Sequence, residues 1–212
     1  MSTGSQEKIK CPICATSFEY WVQHSYTTFG CNLDFKPYGA AVIPNPIAKC
    51  PKCFFVFDKK LFSKNEIEII KKKIKKNNIF EQDPNMPNYF YLAKEFEMLN
   101  KNIDTIIYYY TSAIWEKPKY NILKKITNIL FSYYENIDET NNNFYIYKLI
   151  KLDYLRRLRR SKKALYLIQS LYNKNNFPIE YKVVLDLQKE LIHKHDTNEH
   201  KMPNIETGKE ED

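Results

Sequence analysis

Four of the five cysteines in the sequence form two matched pairs, and their spacing is the clearest chemical signal in the chain. Each pair has a proline after its first cysteine: Cys11-Pro-Ile-Cys14 and Cys50-Pro-Lys-Cys53. Two intervening residues let one tight turn direct both sulfurs at a single metal ion, at about 2.3 Å each, and two such turns complete a tetrahedron. Four thiolates make a closed, structural site, because a catalytic zinc keeps one position for water. The sequence therefore predicts one structural Zn²⁺ bound by Cys11, Cys14, Cys50 and Cys53.

Disulfide bonds and a redox-active dithiol are the alternative uses of these cysteines. A redox Cys-x-x-Cys motif usually occurs once, at a strand-to-helix junction of a larger α/β domain, and two matched copies fit that poorly. Disulfides require an oxidising compartment, and the polar residues 1–8 lack the apolar core of a secretory signal. We therefore expect reduced cysteines and a cytoplasmic location. The fifth cysteine, Cys31, is more typical of a small apolar filler than of a ligand or reactive thiol.

The composition argues against several classes of enzyme. Only four glycines occur in 212 residues, so the chain has no glycine-rich loop of the kind that binds nucleotides. His24 is the only histidine near the paired cysteines, and no Ser/His/Asp or paired-carboxylate grouping stands out. No apolar run approaches the roughly 18 residues of a membrane helix. We expect a protein that is not an enzyme and does not insert into a membrane.

The sequence predicts a small N-terminal module followed by a larger helical region. A Ser63-Lys-Asn-Glu66 capping box begins a connecting helix, and a Pro-containing segment at 81–87 is the expected boundary. The predicted organisation is disordered residues 1–8, a zinc-ribbon-like module at 9–62, a connecting helix at 63–80, a tetratricopeptide-like helical domain at 88–195, and a disordered acidic tail at 196–212.

The helical region favours about six helices in antiparallel pairs, with breaks near residues 100–102, 117–118, 138–143, 160–161 and 173–178. Its first pair matches the 34-residue tetratricopeptide pattern, and later pairs match it more loosely. The matching positions are Tyr89, Leu92, Ala93, Phe96, Ile106, Tyr110, Ala113 and Pro118. The predicted fold class is mainly α, with a small β zinc-ribbon-like module and helical hairpins resembling tetratricopeptide repeats. An ordinary helical bundle is the alternative.

The motifs around the cysteine pairs resemble a known family. They comprise Cys11-Pro-Ile-Cys14 followed by Phe18, then Asp34-Phe-Lys-Pro-Tyr-Gly39, Asn45-Pro46 and Cys50-Pro-Lys-Cys-Phe-Phe55. They look like the bacterial family catalogued as domain of unknown function 2225, whose members pair a zinc module having two Cys-x-x-Cys motifs with a tetratricopeptide-like helical tail. The resemblance covers most of residues 9–175 and implies this architecture, but it implies little about activity.

The chain departs from that family immediately after each cysteine pair. The family usually has glycine there, whereas this sequence has Ala15 and Phe54. Glycine tolerates the positive φ that lets backbone amides reach the sulfurs. We therefore expect slightly reshaped turns in this protein.

Basic residues are concentrated in the helical region. The net charge is +8, and residues 141–195 carry 12 basic and 4 acidic side chains, whereas residues 196–212 carry 2 and 6. A dense group occurs at Arg156, Arg157, Arg159, Arg160, Lys162 and Lys163. Such a group is often a solvated helix end, here partly paired by Asp153. It could also present a surface to an acidic partner.

Aromatic residues in the same region favour a binding role. Tyr108, Tyr109 and Tyr110 are consecutive, and neighbours on a helix are rotated by about 100°, so they cannot all point inward. Exposed Tyr and Trp beside Arg are typical of interface anchors. The sequence predicts a scaffold or interaction protein that binds an acidic or helical segment of another protein. The predicted contact residues are Arg156, Arg157, Arg159, Arg160, Lys163, Tyr109 and Trp115.

Nucleic-acid binding is the alternative function. Zinc ribbons often contact nucleic acid, and the isoelectric point is about 9.0. However, the two cysteine turns contain one basic residue, Lys52, and the arginine-rich group lies roughly 100 residues further along the chain. A nucleic-acid footprint requires basic side chains on one face. We therefore expect nucleic acid to be the less favoured partner.

Overall fold

A computed structural model describes residues 4–23, 27–40, 47–57, 61–77, 83 and 85–203. Within these residues the protein is mainly helical, with 52% of them in helices, and it has small strand pairs near the N-terminus. The expected fold class is thereby confirmed at the level of a mainly α protein with a small β portion. No helix in the described residues is both long and apolar enough to cross a bilayer.

The described strands form three two-stranded sheets. These are β1 (Gly4–Lys10) with β2 (Ser17–Gln23), β3 (Thr27–Cys31) with β4 (Pro37–Ala40), and β5 (Ala48–Lys49) with β6 (Val56–Phe57). The first and third pairs are antiparallel. The expected disorder of residues 1–8 is wrong for residues 4–8, because these residues pair along β1. The Trp21 ring also covers the start of that strand, where a Cβ on Gly4 would lie 2.4 Å from it.

Seven α-helices follow in the described part of the chain. They are α1 (Lys64–Asn77), α2 (Asn88–Met98), α3 (Ile103–Trp115), α4 (Tyr120–Glu135), α5 (Phe144–Arg157), α6 (Ser161–Tyr172) and α7 (Lys182–His193), with a short 3₁₀ turn at Ile179–Tyr181. All five of the helix breaks expected within residues 88–195 are confirmed. The capping box before α1 is also present, because the backbone N–H of Ser63 donates to the Glu66 carboxylate and the Ser63 hydroxyl accepts from the backbone N–H of Glu66.

Several helices end without the glycine that a left-handed terminal residue usually has. Asn100, Lys117, Arg159 and His195 follow α2, α3, α5 and α7 with φ between 52° and 57°. In three of these ends a backbone N–H reaches a carbonyl five residues back, as from Arg160 to Leu155 at 2.8 Å. This bond closes the last turn of the helix. A glycine-poor sequence therefore still forms sharp helix ends.

The chain divides into two compact units, residues 1–27 with 40–130, and residues 28–39 with 131–212. This division differs from the expected one in two ways. Residues 28–39, expected within the 9–62 module, belong to the second unit, and the expected boundary at 81–87 lies inside the first unit. The physical reason is packing in the first unit, where α2 covers the third strand pair. The ring centres of Phe62 and Phe96 are 5.5 Å apart, and those of Phe54 and Tyr91 are 5.6 Å apart. A module as small as 9–62 buries little core by itself.

The closest helix packing joins α2 to α3 and links α5, α6 and α7 to one another. In the first pair, Phe90 and Phe96 lie against Tyr110 and Tyr109, with ring centres 5.7 and 4.8 Å apart. Glu116, the residue just after α3, accepts hydrogen bonds from the backbone N–H groups of Asn88 and Tyr89, the first two residues of α2. This packing forms the expected first helical pair. The tetratricopeptide-like character of the helices stays a prediction.

A buried ionic network lies within the second unit. Arg156 donates to Asp153 at 2.6 Å and to Gln188 at 2.9 Å, and it also donates to the backbone carbonyls of Asp196 and Asn198. Asp153 also accepts from Gln188 at 3.1 Å. Charges are tolerated in such an interior when each is paired and hydrogen-bonded. The network therefore connects α5, α7 and the segment after α7.

The segment after α7 is ordered as far as residue 203, so the expected disorder of 196–212 is wrong for 196–203. The Leu33 backbone N–H donates to His200 O at 2.9 Å, and the Met202 N–H donates to Cys31 O at 2.8 Å. These bonds hold the segment beside the β3–β4 hairpin, and Met202 is buried. The rest of the predicted tail lies outside the described residues.

The hairpin also inserts a carboxylate into the network. Asp34 is 1% exposed and forms an ion pair with Arg157 at 3.2 Å. Burial raises the pKa of Asp34 to about 6, with a further contribution from the charge of Asp153 and against the opposing effect of Arg157. Ionisation of the Asp34 carboxyl is therefore less favourable in the folded protein than in the unfolded chain.

Replacing Asp34 with asparagine should change the pH dependence of stability. Because the pKa of Asp34 is raised to about 6 in the folded state, its contribution favours folding at low pH and is lost as pH rises from about 4 to about 6. The variant lacks this loss, so its stability relative to wild type should increase by up to about 3 kcal/mol over that range. Urea unfolding of both proteins at several pH values tests this. A variant-minus-wild-type difference that is constant with pH would contradict it.

Candidate metal centre

Each cysteine pair lies in the turn that joins two antiparallel strands, and the two turns have the same backbone geometry. In the first, the Cys11 N–H donates to Thr16 O at 2.8 Å and the Ala15 N–H donates to Cys11 O at 2.9 Å. In the second, Cys50 and Phe54 make the equivalent bonds, at 2.9 and 3.0 Å. The turn between β1 and β2 and the turn between β5 and β6 therefore present their sulfurs in matching ways.

The four sulfurs converge on one point in the first unit. The Sγ atoms of Cys11 and Cys53 are 3.6 Å apart, and those of Cys14 and Cys50 are 3.5 Å apart. All four ligand atoms lie within 4.8 Å of one another. A tetrahedron with metal–sulfur bonds of about 2.3 Å has edges of about 3.8 Å. The cluster therefore fits one metal ion, and it is the one such group of ligands among the described residues.

The electrostatics of the thiols also suit a metal. A hydrogen bond from Cys53 is the main cause that lowers the pKa of Cys11 to about 5, and backbone N–H groups of Cys14 and Ile13 lower it further. The same bond raises the pKa of Cys53. Metal ligation requires deprotonated thiols, so a lowered pKa at Cys11 favours metal binding. A tetrahedral set of four thiolates is compatible with a single zinc ion.

Both turns retain the left-handed conformation although neither has glycine after its second cysteine. The φ angles of Ala15 and Phe54 are 61° and 59°. A non-glycine residue in this conformation costs about 1–2 kcal/mol. The Phe54 ring lies 5.6 Å from the Tyr91 ring, and Lys49 Nζ lies 5.9 and 5.4 Å from the centres of these two rings. The turns are thus alike in backbone shape, and at the second turn the Phe54 side chain also packs against its neighbours.

A buried glutamate on α2 supports the second turn, and the sequence analysis did not identify it. Glu95 is fully buried, and its Oε1 accepts a hydrogen bond from the Val56 N–H at 2.8 Å. Burial raises the pKa of Glu95 well above its ordinary value. A signal existed, since Glu95 lies three residues from both Leu92 and Met98 on the apolar face of α2. A carboxyl group at such a position indicates a specific backbone partner.

The predicted partner-binding residues fall into three groups according to their exposure. Arg156 and Trp115 are only 2% and 8% exposed, so the structure places both in the core. Arg157 is mostly buried and pairs with Asp34 and Glu199. Tyr109 is half-buried beneath Phe96. The remaining three, Arg159, Arg160 and Lys163, reach the surface at least in part.

The expected pairing of Asp153 with the arginines of α5 is confirmed. Asp153 lies 2.6 Å from Arg156 and 3.6 Å from Arg157, three and four residues along the helix. Sequence spacing predicted these two contacts, but it gave no sign of Asp34 and Gln188, the more distant partners.

Comparison with protein-family models, curated proteins and solved structures gives no match for this chain. The likeness to the family with two Cys-x-x-Cys motifs stays a prediction based on the residues that carry it.

Proposed function

We propose that this chain is a non-enzymatic zinc protein that acts as a scaffold, with its helices binding another protein. The observation that carries the proposal is the closed ligand set at the metal centre. Four sulfurs within 4.8 Å of one another fill a tetrahedral shell, so a bound zinc has no position left for water or substrate. The metal then stabilises the turns that carry it. Reduced thiols are consistent with a location in the cytoplasm.

The helices supply the features of a protein-binding surface. Two tyrosines on separate helices, Tyr108 and Tyr166, are 51% and 79% exposed. Tyrosine is enriched among the residues that dominate binding energy at protein interfaces. Lys162 and Lys163 are exposed beside the second tyrosine on α6. These residues favour a partner with apolar side chains and negative charge.

Nucleic acid is the less favoured partner because part of the arginine-rich group is already neutralised and the metal-binding turns carry little positive charge. Arg156 and Arg157 are already paired with carboxylates inside the second unit. The metal-binding turns offer Lys52 alone. We expect weak, strongly salt-dependent binding to nucleic acid, as for any basic protein.

The test combines affinity capture with a nucleic-acid titration. Zinc-loaded protein is immobilised and exposed to nuclease-treated lysate of its native host. It should retain another protein in roughly stoichiometric amount. This retention should be lost with Tyr166→Ala and kept with Tyr120→Ala or Lys189→Glu. Labelled single-stranded and duplex oligonucleotides near physiological salt should bind no more tightly than roughly micromolar. Submicromolar binding that Lys52→Glu abolishes, with no retained protein, would overturn the proposal in favour of nucleic acid.

A further inference from the structure

A groove of about 470 Å³ lies in the second unit, between the end of α4, the middle of α5 and the start of α6. Its apolar floor is formed by Phe131, Leu155 and Leu167, and Tyr166 stands beside it. This volume is in the range of about 300–1,000 Å³ that is typical of ligand-binding pockets. The groove therefore has room for a few apolar side chains.

Positive charge surrounds the apolar floor. The lining residues include four cations and one carboxylate: Lys151, Arg160, Lys162, Lys163 and Glu135. Lys151 Nζ and the Arg160 guanidinium lie 5.2 and 5.9 Å from the centre of the Phe131 ring. Lys151 also pairs with Glu135 at 3.5 Å, but the Glu135 side chain is 71% exposed, so this is a weak surface pair. The groove thus keeps a strong positive bias.

Two of these cations oppose the stability of the helix that carries them. Lys162 and Lys163 occupy the first turn of α6, which has no acidic residue and no side-chain cap at its N-terminus. Cations are unfavourable there, because the helix dipole places partial positive charge at this end. Neither lysine has an ion-pair partner among the residues that the structure describes. Their position gives α6 no local stability, but an incoming carboxylate would meet two cations and unsatisfied backbone N–H groups.

We propose that this groove binds an acidic, amphipathic segment of another protein, whose apolar side chains contact Phe131, Leu155 and Leu167 and whose carboxylates pair with Lys162, Lys163 and Arg160. The inference rests on the proposed protein-binding function and names its site and the chemistry of its partner. Charge complementarity argues for this occupant. A nucleic-acid strand fits less well, because Leu155 and Leu167 offer no stacking surface and cations already lie over the Phe131 ring.

Selection of short random peptides on the full-length, zinc-loaded protein tests this inference. Enriched peptides should carry net negative charge together with apolar residues. Their affinity, measured by fluorescence anisotropy, should fall roughly tenfold or more with Lys162→Glu/Lys163→Glu and with Tyr166→Ala, since both changes remove groups at the contact. Lys189→Glu and Tyr120→Ala are matched controls outside the groove and should bind as wild type. Zinc content should be the same in all variants, and the unfolding midpoint of Lys162→Glu/Lys163→Glu should be no lower than that of wild type, because carboxylates suit a helix N-terminus.

The other outcomes separate the groove from the general function. Acidic peptides that bind the groove variants with wild-type affinity would overturn the site and leave the scaffold function intact. Enrichment of neutral or basic peptides would overturn the partner chemistry. Displacement of the selected peptides by equimolar single-stranded nucleic acid would overturn both and favour the nucleic-acid hypothesis.

Discussion

Cys50→Ser should abolish stoichiometric zinc binding and unfold the two cysteine turns with their strands. Cys50 is fully buried, and its sulfur lies 3.5 Å from that of Cys14. Structural zinc in small modules contributes on the order of 10 kcal/mol to folding, which exceeds what two-residue strands such as β5 and β6 can replace. Metal analysis of the purified protein should give about one zinc per wild-type chain and a much lower value for the variant. Cys31→Ser, which changes the cysteine outside the cluster, should retain one zinc.

A strong chelator should reproduce the effect of Cys50→Ser and leave much of the helical signal intact. The second unit contains none of the four ligands, and α5, α6 and α7 pack on one another there. Circular dichroism should retain a substantial part of its helical intensity, and hydrogen exchange should lose protection in β1, β2, β5 and β6. A reduced, metal-free protein that keeps protection in these strands would contradict a structural role for zinc.

Arg156→Met should destabilise the protein by about 3 kcal/mol or more, because it removes a buried charge from paired and hydrogen-bonded partners. Asp153 would keep Arg157 at 3.6 Å, but Gln188 and the carbonyls of Asp196 and Asn198 would each lose a donor. Urea unfolding measures the change. Arg159→Met is the matched control, three residues along and exposed, and should stay within about 0.5 kcal/mol of wild type. A small effect for Arg156→Met would return this arginine to the list of candidate partner contacts.

The cysteine cluster and the helix breaks were predictable because their signals are local. Two residues between cysteines specify one turn, and Ser63 and Glu66 specify one helix start. Arg157 shows where such reasoning stops. Its partner Asp34 is 123 residues away in sequence, and no spacing rule relates positions that far apart. Sequence periodicity found only Asp153, which lies within one helical turn.

The order at the two ends of the described chain was missed for a related reason. Residues 4–8 and 196–203 are polar, and composition alone favours disorder for such segments. Both are ordered by backbone hydrogen bonds, to β2 in one case and to residues 31 and 33 in the other. Backbone groups carry no side-chain signal. Their pairing therefore depends on which neighbour the fold supplies.

The placement of residues 28–39 in the second unit has a consequence for synthesis on the ribosome. All four cysteines of the cluster are translated by residue 53, yet Asp34 has no arginine partner until residue 157 is made. At roughly 5–20 residues per second, that delay lasts several seconds or more. A metal ion bound by the four cysteines would therefore join the two ends of the intervening segment first. The loop that contains Asp34 would then be held at both ends before the C-terminal helices are made.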